Sequence, residues 1–169
     1  MRTKNKESGF TIVELLIVVA VITILATISV LAYNGVQERA RDARRMQDIA
    51  TLVKATQLYY LDNRNFASVN CANNGSGWLH SDYDGAGPAL SANDCLLQSG
   101  HLKTALMDPS GLTGCGGLGC YAYMKGSCAS GNYYYAHLET KAQTANDLDT
   151  TCNTSYDTAY GMNYFVKID

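Results

Sequence analysis

Between Phe10 and Tyr33 the chain runs for 24 residues with a single formal charge, Glu14. As a helix rising 1.5 Å per residue, this run is long enough to cross a bilayer core of ~30 Å. A charge at the centre of such a span costs on the order of 2.5–3.5 kcal/mol, so it is rarely kept without a task. A short charged leader, Met1 to Gly9, precedes the run. A secretory signal peptide has an apolar core of about 7–15 residues followed by a small-x-small cleavage site. Here the run is longer and the small residue stands before it, although Ala26, Ser29 and Ala32 imitate such a site. A helix buried in a soluble core is disfavoured, because nothing else in the chain is apolar enough to surround it.

No proline interrupts the chain from Phe10 to Asn65, and Gly35 is the one glycine there. Beyond it the residues turn polar on most faces, while Met46, Ile49, Ala50, Val53, Thr56 and Tyr60 recur at the three-and-four spacing of one helix face. Glu38 and Asp42 each have an arginine three residues on, Arg41 and Arg45, and a solvated face with local pairing is the expectation. One helix from about Phe10 to Leu61 would be ~80 Å long. Asp62-Asn-Arg-Asn-Phe66 favours turns and ends it. The expected divisions are therefore a leader (1–9), a membrane or core helix (10–33), an amphipathic stem (34–65) and a β-rich head (66–169).

All six cysteines (Cys71, Cys95, Cys115, Cys120, Cys128, Cys152) fall after the stem. An even set confined to one region reads as disulfides in an oxidising compartment. Six cysteines allow 15 connectivities and the sequence does not choose among them; neighbour pairing (Cys71–Cys95, Cys115–Cys120, Cys128–Cys152) is adopted as the working expectation. Free thiols are the alternative, and a zinc site lacks a second Cys or His pair at matching spacing. Basic residues flank both ends of the apolar run, so charge alone does not orient it. Cysteines that belong outside place the leader in the cytoplasm.

From Ala67 to Pro109 turn signals dominate, with a short helical turn expected around Leu96-Leu97 and His101-Leu102. Strands are expected at Tyr121–Met124, Tyr133–Leu138 and Tyr164–Ile168, with Lys125–Asn132 as a hairpin loop. A small antiparallel sheet laid on the stem's stripe makes the fold α+β.

Chemistry is sparse. His80, His101 and His137 pair with no nucleophile or ligand pattern. Asp82-Tyr-Asp84-Gly85 opens like a calcium loop but lacks its later ligands, so a turn is the better reading. Asp147, Asp149 and Asp157 form a second acidic cluster, equally incomplete, and no metal or cofactor is expected. Asn74-Gly-Ser76 and Asn153-Thr-Ser155 match the glycosylation pattern without further support. Past Phe66 there are four lysines, no arginine and nine acids, a charge near −5, which disfavours nucleic acid as a partner. Strand propensity accounts for the tyrosine run Tyr133–Tyr135 without a binding role.

Ser8-Gly9-Phe10-Thr11-Ile12-Val13-Glu14-Leu15-Leu16-Ile17-Val18-Val19 closely resembles the class III signal of type IV pilins and of the pseudopilins of type II secretion. The resemblance implies a prepilin peptidase that cuts between Gly9 and Phe10, methylation of the new Phe10 amine, and a mature chain of 160 residues. It implies a long helix packed on a small sheet, and a non-enzymatic subunit whose apolar helices bundle in a filament core. Glu14 then neutralises a neighbour's terminal amine, and the Cys128–Cys152 span resembles the disulfide-bounded loop of some pilins. Many pilins carry Gly and Pro in the membrane half; this chain has Thr23 and Leu31 there, leaving Gly35 as the weak point.

The implied partners are other pilin subunits, alone or with minor pilins, the peptidase, the inner-membrane assembly platform, and lipid before assembly. A type IV pilin precursor at the cell surface is the expected function and a secretion pseudopilin the alternative. A membrane-anchored extracellular binding module or enzyme is the alternative of another class.

Overall fold

The computed structural model describes residues 9–64, 77–79, 91–114, 116–117, 119, 121–128, 131–141 and 159–168. Its elements, in chain order, are α1 (Ile12–Asn63), β1 (Gly77–Trp78), α2 (Ala92–Gln98), β2 (Met124–Cys128), β3 (Gly131–Ala136) and β4 (Tyr164–Lys167). The chain divides into two compact units, Met1–Glu38 and Arg39–Asp169.

In the first unit, α1 starts at Ile12 and carries its apolar side chains outward on every side; Ile12, Leu16, Val19, Ile24 and Ile28 are all exposed. Such a surface demands apolar surroundings. Three hydroxyls in the run obey the same demand by spending their protons inside the helix: Thr23 Oγ1 donates to Val19 O, Thr27 Oγ1 to Thr23 O and Ser29 Oγ to Leu25 O, each at 2.8 Å. A buried or lipid-facing hydroxyl without a partner is costly, and back-bonding removes that cost locally. This helix is long and apolar enough to cross a membrane.

In the second unit, α1 and α2 pack on one face of a four-stranded antiparallel sheet of order β1-β2-β3-β4. That core joins Ile49, Leu52, Ala55 and Tyr59 of α1 to Ala92, Cys95 and Leu96 of α2, and to Tyr134, Ala136 and Ile168. The opposite face holds a second cluster. There the register sets Trp78 beside Met124, Met124 beside Tyr135, and Tyr135 beside Phe165, one apolar row crossing all four strands. Such cross-strand pairs are the unit of sheet stabilisation. Gly114 lies against this face: a Cβ there would meet the Trp78 ring at 3.2 Å.

The α+β architecture, with a long N-terminal helix and a small antiparallel sheet, is the expected one. Several local expectations differ. The buried face of α1 is Asp42, Arg45, Asp48, Ile49, Leu52, Ala55, Thr56 and Tyr59, whereas Met46 and Ala50 of the expected stripe are exposed. The face is rotated because three charged residues, Asp42, Arg45 and Asp48, occupy it, and their burial depends on partners remote in sequence. Lys125–Cys128, expected as a hairpin loop, is most of β2, and Tyr121–Tyr123 precede the strand. Lys125 faces the helices between Gly77 and Tyr134. It lines a small cleft with Thr56, Tyr59, Cys95 and Leu96, and burial pulls its pKa down to about 8.

Of the short helical turn expected around Leu96-Leu97 and His101-Leu102, the first pair lies in α2 and the second follows it. Gly100, at φ 76°, reverses the chain after that helix, and the His101 and Leu102 amides both donate to Leu96 O. His137 lies just past β3 and stacks on Tyr121 at 4.5 Å.

Candidate assembly site

The residues singled out at the N-terminus lie together in the first unit. Gly9 has no atom within 4 Å of where a Cβ would sit and no positive φ, so the fold itself does not require glycine there. Phe10 is 86% exposed. Glu14, in the first turn of α1, makes a reciprocal cap with Thr11. The Thr11 amide and the Thr11 hydroxyl each donate to Glu14 Oε2 at 2.8 Å, and the Glu14 amide donates back to Thr11 Oγ1 at 3.2 Å. This satisfies two donors that a helix start leaves without intrahelical partners.

The expectation for Glu14 is half of an intersubunit pair, and Thr11 is its partner within the chain. The Thr-x-x-Glu spacing of Thr11 and Glu14, which signals this cap, was available to find it.

The second unit contains a polar centre that the sequence did not reveal. Arg45, with no exposed surface, donates from Nε and Nη2 to the two carboxylate oxygens of Asp108 at 2.6 and 3.1 Å. Its Nη1 donates to Asp42 Oδ1 at 2.8 Å and to Glu139 Oε1 at 2.6 Å. The guanidinium also lies over the Tyr121 ring, 4.6 Å from its centre. Arg41 pairs with Glu139 through two side-chain contacts. The expected Asp42–Arg45 pair is present, but buried instead of solvated.

Local structure sets this geometry. Asp42 accepts from the Glu139 and Thr140 amides and from the Thr140 hydroxyl, at 2.7–2.9 Å, so the turn after β3 is fastened to α1. The same turn is held from beneath by Asn163. Its Oδ1 accepts from the Leu138 amide and its Nδ2 donates to the carbonyls of Leu138 and Lys141.

The electrostatic consequences follow the contacts. Burial works against the Asp42 anion, yet the bonds from Thr140, Glu139 and Arg45 outweigh it and hold the pKa low. The bond from Arg41 leads in holding the Glu139 carboxyl low as well. Burial alone would lower the Arg45 pKa, but its three carboxylate partners push it up. Asp48 is raised by burial, against the hydroxyl bond it accepts from Tyr123 at 2.8 Å. With three carboxylates bonded around the Arg41 and Arg45 guanidinium groups, the cluster is suited to holding an element in place.

Cys95 is disulfide-bonded, on α2 inside the main core. Cys71, Cys115, Cys120 and Cys152, and the side chain of Cys128, lie outside the described residues, as do His80, Asp82, Asp84, Asp147, Asp149, Asp157 and both glycosylation patterns. Among the described residues, no group of three or more His, Cys, Asp or Glu side chains is arranged to hold a metal ion.

The helix, the sheet and the Phe10–Glu14 segment define a pilin-like chain. The family model described as the prokaryotic N-terminal methylation motif matches residues 4–30. The matched stretch contains Ser8 to Val19, which resembles the class III signal of type IV pilins and pseudopilins. It is similar to the type II secretion system core protein G of Escherichia coli (strain K12), with 34% identity over 70 residues, 41% of this chain and 48% of that protein. It is 35% identical over 92 residues to the type IV major fimbrial protein FimA of Dichelobacter nodosus, 54% of each chain. With the type IV wide pilus major component PilA4 of Thermus thermophilus it shares 36% over 64 residues, 38% of this chain and 49% of that one. The chain thus spans about half the length of these curated relatives. No solved structure gives a significant match.

Proposed function

We propose that this chain is the precursor of a type IV pilin, a structural subunit that polymerises through its N-terminal helix into a surface filament. The observation that carries the reading is the first half of α1: an apolar surface exposed all round, headed by one carboxylate inside the methylation motif. Such a surface is compatible with lipid before assembly and with the helices of other copies afterwards. Cutting between Gly9 and Phe10 frees an amine beside the apolar run, and Glu14 supplies the opposite charge. A pair left half-formed in apolar surroundings is strongly unfavourable, so pairing selects subunits docked in register.

The leader lies in the cytoplasm and the disulfide-bearing unit outside, which fits a bonded Cys95. Neighbour pairing, Cys71 to Cys95, Cys115 to Cys120 and Cys128 to Cys152, remains the proposed set. The partners are other copies, the peptidase and the inner-membrane assembly platform, and the chain has no catalytic task.

Mass spectrometry of the mature chain tests the reading. N-methylated Phe10 supports it, whereas cleavage after Ala32 or a retained Met1 overturns it. Glu14→Ala is expected to be processed yet poorly assembled, and normal filaments from that variant would remove the role given to Glu14.

A second reading, a pseudopilin of type II secretion, is favoured by the likeness to core protein G. Deleting the gene separates the two: loss of long sheared surface filaments marks the pilin, and loss of a secreted enzyme with filaments retained marks the pseudopilin.

A further inference from the structure

All the bonds that Glu14 accepts from Thr11 converge on one oxygen, Oε2. A carboxylate among Phe10, Ile12, Val13 and Leu15 has little else to bond to, and desolvating it without donors is costly. Thr11 supplies a backbone and a hydroxyl donor. The Glu14 amide, bonding back to Thr11 Oγ1, orients that hydroxyl oxygen. The cap therefore fixes which way the carboxylate faces: Oε2 toward its own helix start, Oε1 away from it.

Resting on the proposed function, we propose that Thr11 is the positioning residue of subunit assembly. It ties Glu14 Oε2 to its own chain and leaves Oε1 to accept the terminal ammonium of a neighbouring copy. The arrangement survives maturation. The cut falls at Gly9–Phe10, one peptide upstream of the Phe10–Thr11 bond whose N–H donates to Glu14. Glu14 is thereby kept solvated by its own chain in lipid, and the intersubunit pair forms without stripping those donors away. Register follows, since the incoming amine has one oxygen to meet, in a fixed direction.

The test uses the full chain in its native host, with Thr11→Ser, Thr11→Val and Glu14→Ala compared with wild type. The readouts are filament yield relative to the membrane pool, and mass spectrometry of cleavage and methylation. Thr11→Ser keeps the hydroxyl and is expected to assemble like wild type. Thr11→Val keeps the shape, and loss of a charge-assisted bond is expected to lower filament yield about tenfold or more with processing intact. A purely steric role for Thr11 would spare Thr11→Val, and wild-type assembly of that variant overturns the proposal.

A second measurement does not depend on processing. In the full chain in detergent micelles, exchange of the Thr11 amide hydrogen is expected to be at least about tenfold faster in Glu14→Ala than in wild type. An unchanged rate also overturns the proposal. Failure of Glu14→Ala with normal assembly of Thr11→Val removes only the role of Thr11; normal assembly of Glu14→Ala removes the underlying reading as well.

Discussion

Arg45 and Asp108, 63 positions apart, meet through two parallel hydrogen bonds of 2.6 and 3.1 Å with neither side chain reaching solvent. A bidentate arginine–carboxylate pair is geometrically specific as well as strong. It fastens the segment after α2 to α1, and the bonds from Arg45 to Asp42 and Glu139 fasten the turn after β3 to the same point.

Arg45→Met should destabilise the second unit by ~3–5 kcal/mol, since it leaves buried carboxylates without their cation. Arg45→Lys should recover little of this, because an ammonium cannot fork to Asp108. Denaturant unfolding of the full chain in micelles, followed by tyrosine and tryptophan fluorescence, measures both. Equal stability of Arg45→Met and wild type would show that the cluster does not hold the unit together.

Acid should loosen the same unit. Asp42 and Glu139 have folded pKa values below their ordinary 3.8 and 4.5. Such groups contribute stability that is present above the unfolded value and lost as pH falls through the folded one. Asp48, raised by burial, acts in the opposite sense. The unfolding free energy is therefore expected to fall as pH drops below about 4.5, and to fall less steeply in Asp42→Asn. A flat profile in wild type between pH 5 and the acid limit would contradict the assignment.

Gly35 lies within α1, and a Cβ there would meet nothing within 4 Å. Gly35→Ala is expected to stabilise the helix around it by about 0.5–1 kcal/mol, by lowering the entropy of the unfolded chain without a clash. Slower amide exchange around position 35 in the full chain is the expected readout; unchanged or faster exchange would contradict it.

What could be read in advance follows from how far each determinant reaches along the chain. The apolar run is local, and the long helix with an exposed apolar surface that it forms was legible. The aromatic strands at Tyr133–Tyr135 and Tyr164–Phe165 were legible for the same reason. The phase of α1 was not, since hydrophobicity pointed to Met46 and Ala50 while Arg45 and Asp48 face inward. Their burial depends on Asp108, Glu139 and Tyr123, which only the fold brings near. Lys125-Gly-Ser reads as a turn unless its neighbours are known, and two residues at Gly77–Trp78 carry no strand signal at all. At the candidate site the cap between Thr11 and Glu14 is local too, and the Thr-x-x-Glu spacing carries it.

Gly9 stands in open space, in a conformation any residue can adopt. Under the proposed processing, folding and maturation therefore make separate demands on this chain. Replacing Gly9 with a larger residue should leave every described contact intact while blocking the cut, giving an arrested, correctly folded precursor. From such a stalled population, the order of cleavage, methylation and extraction from the bilayer becomes something that can be timed.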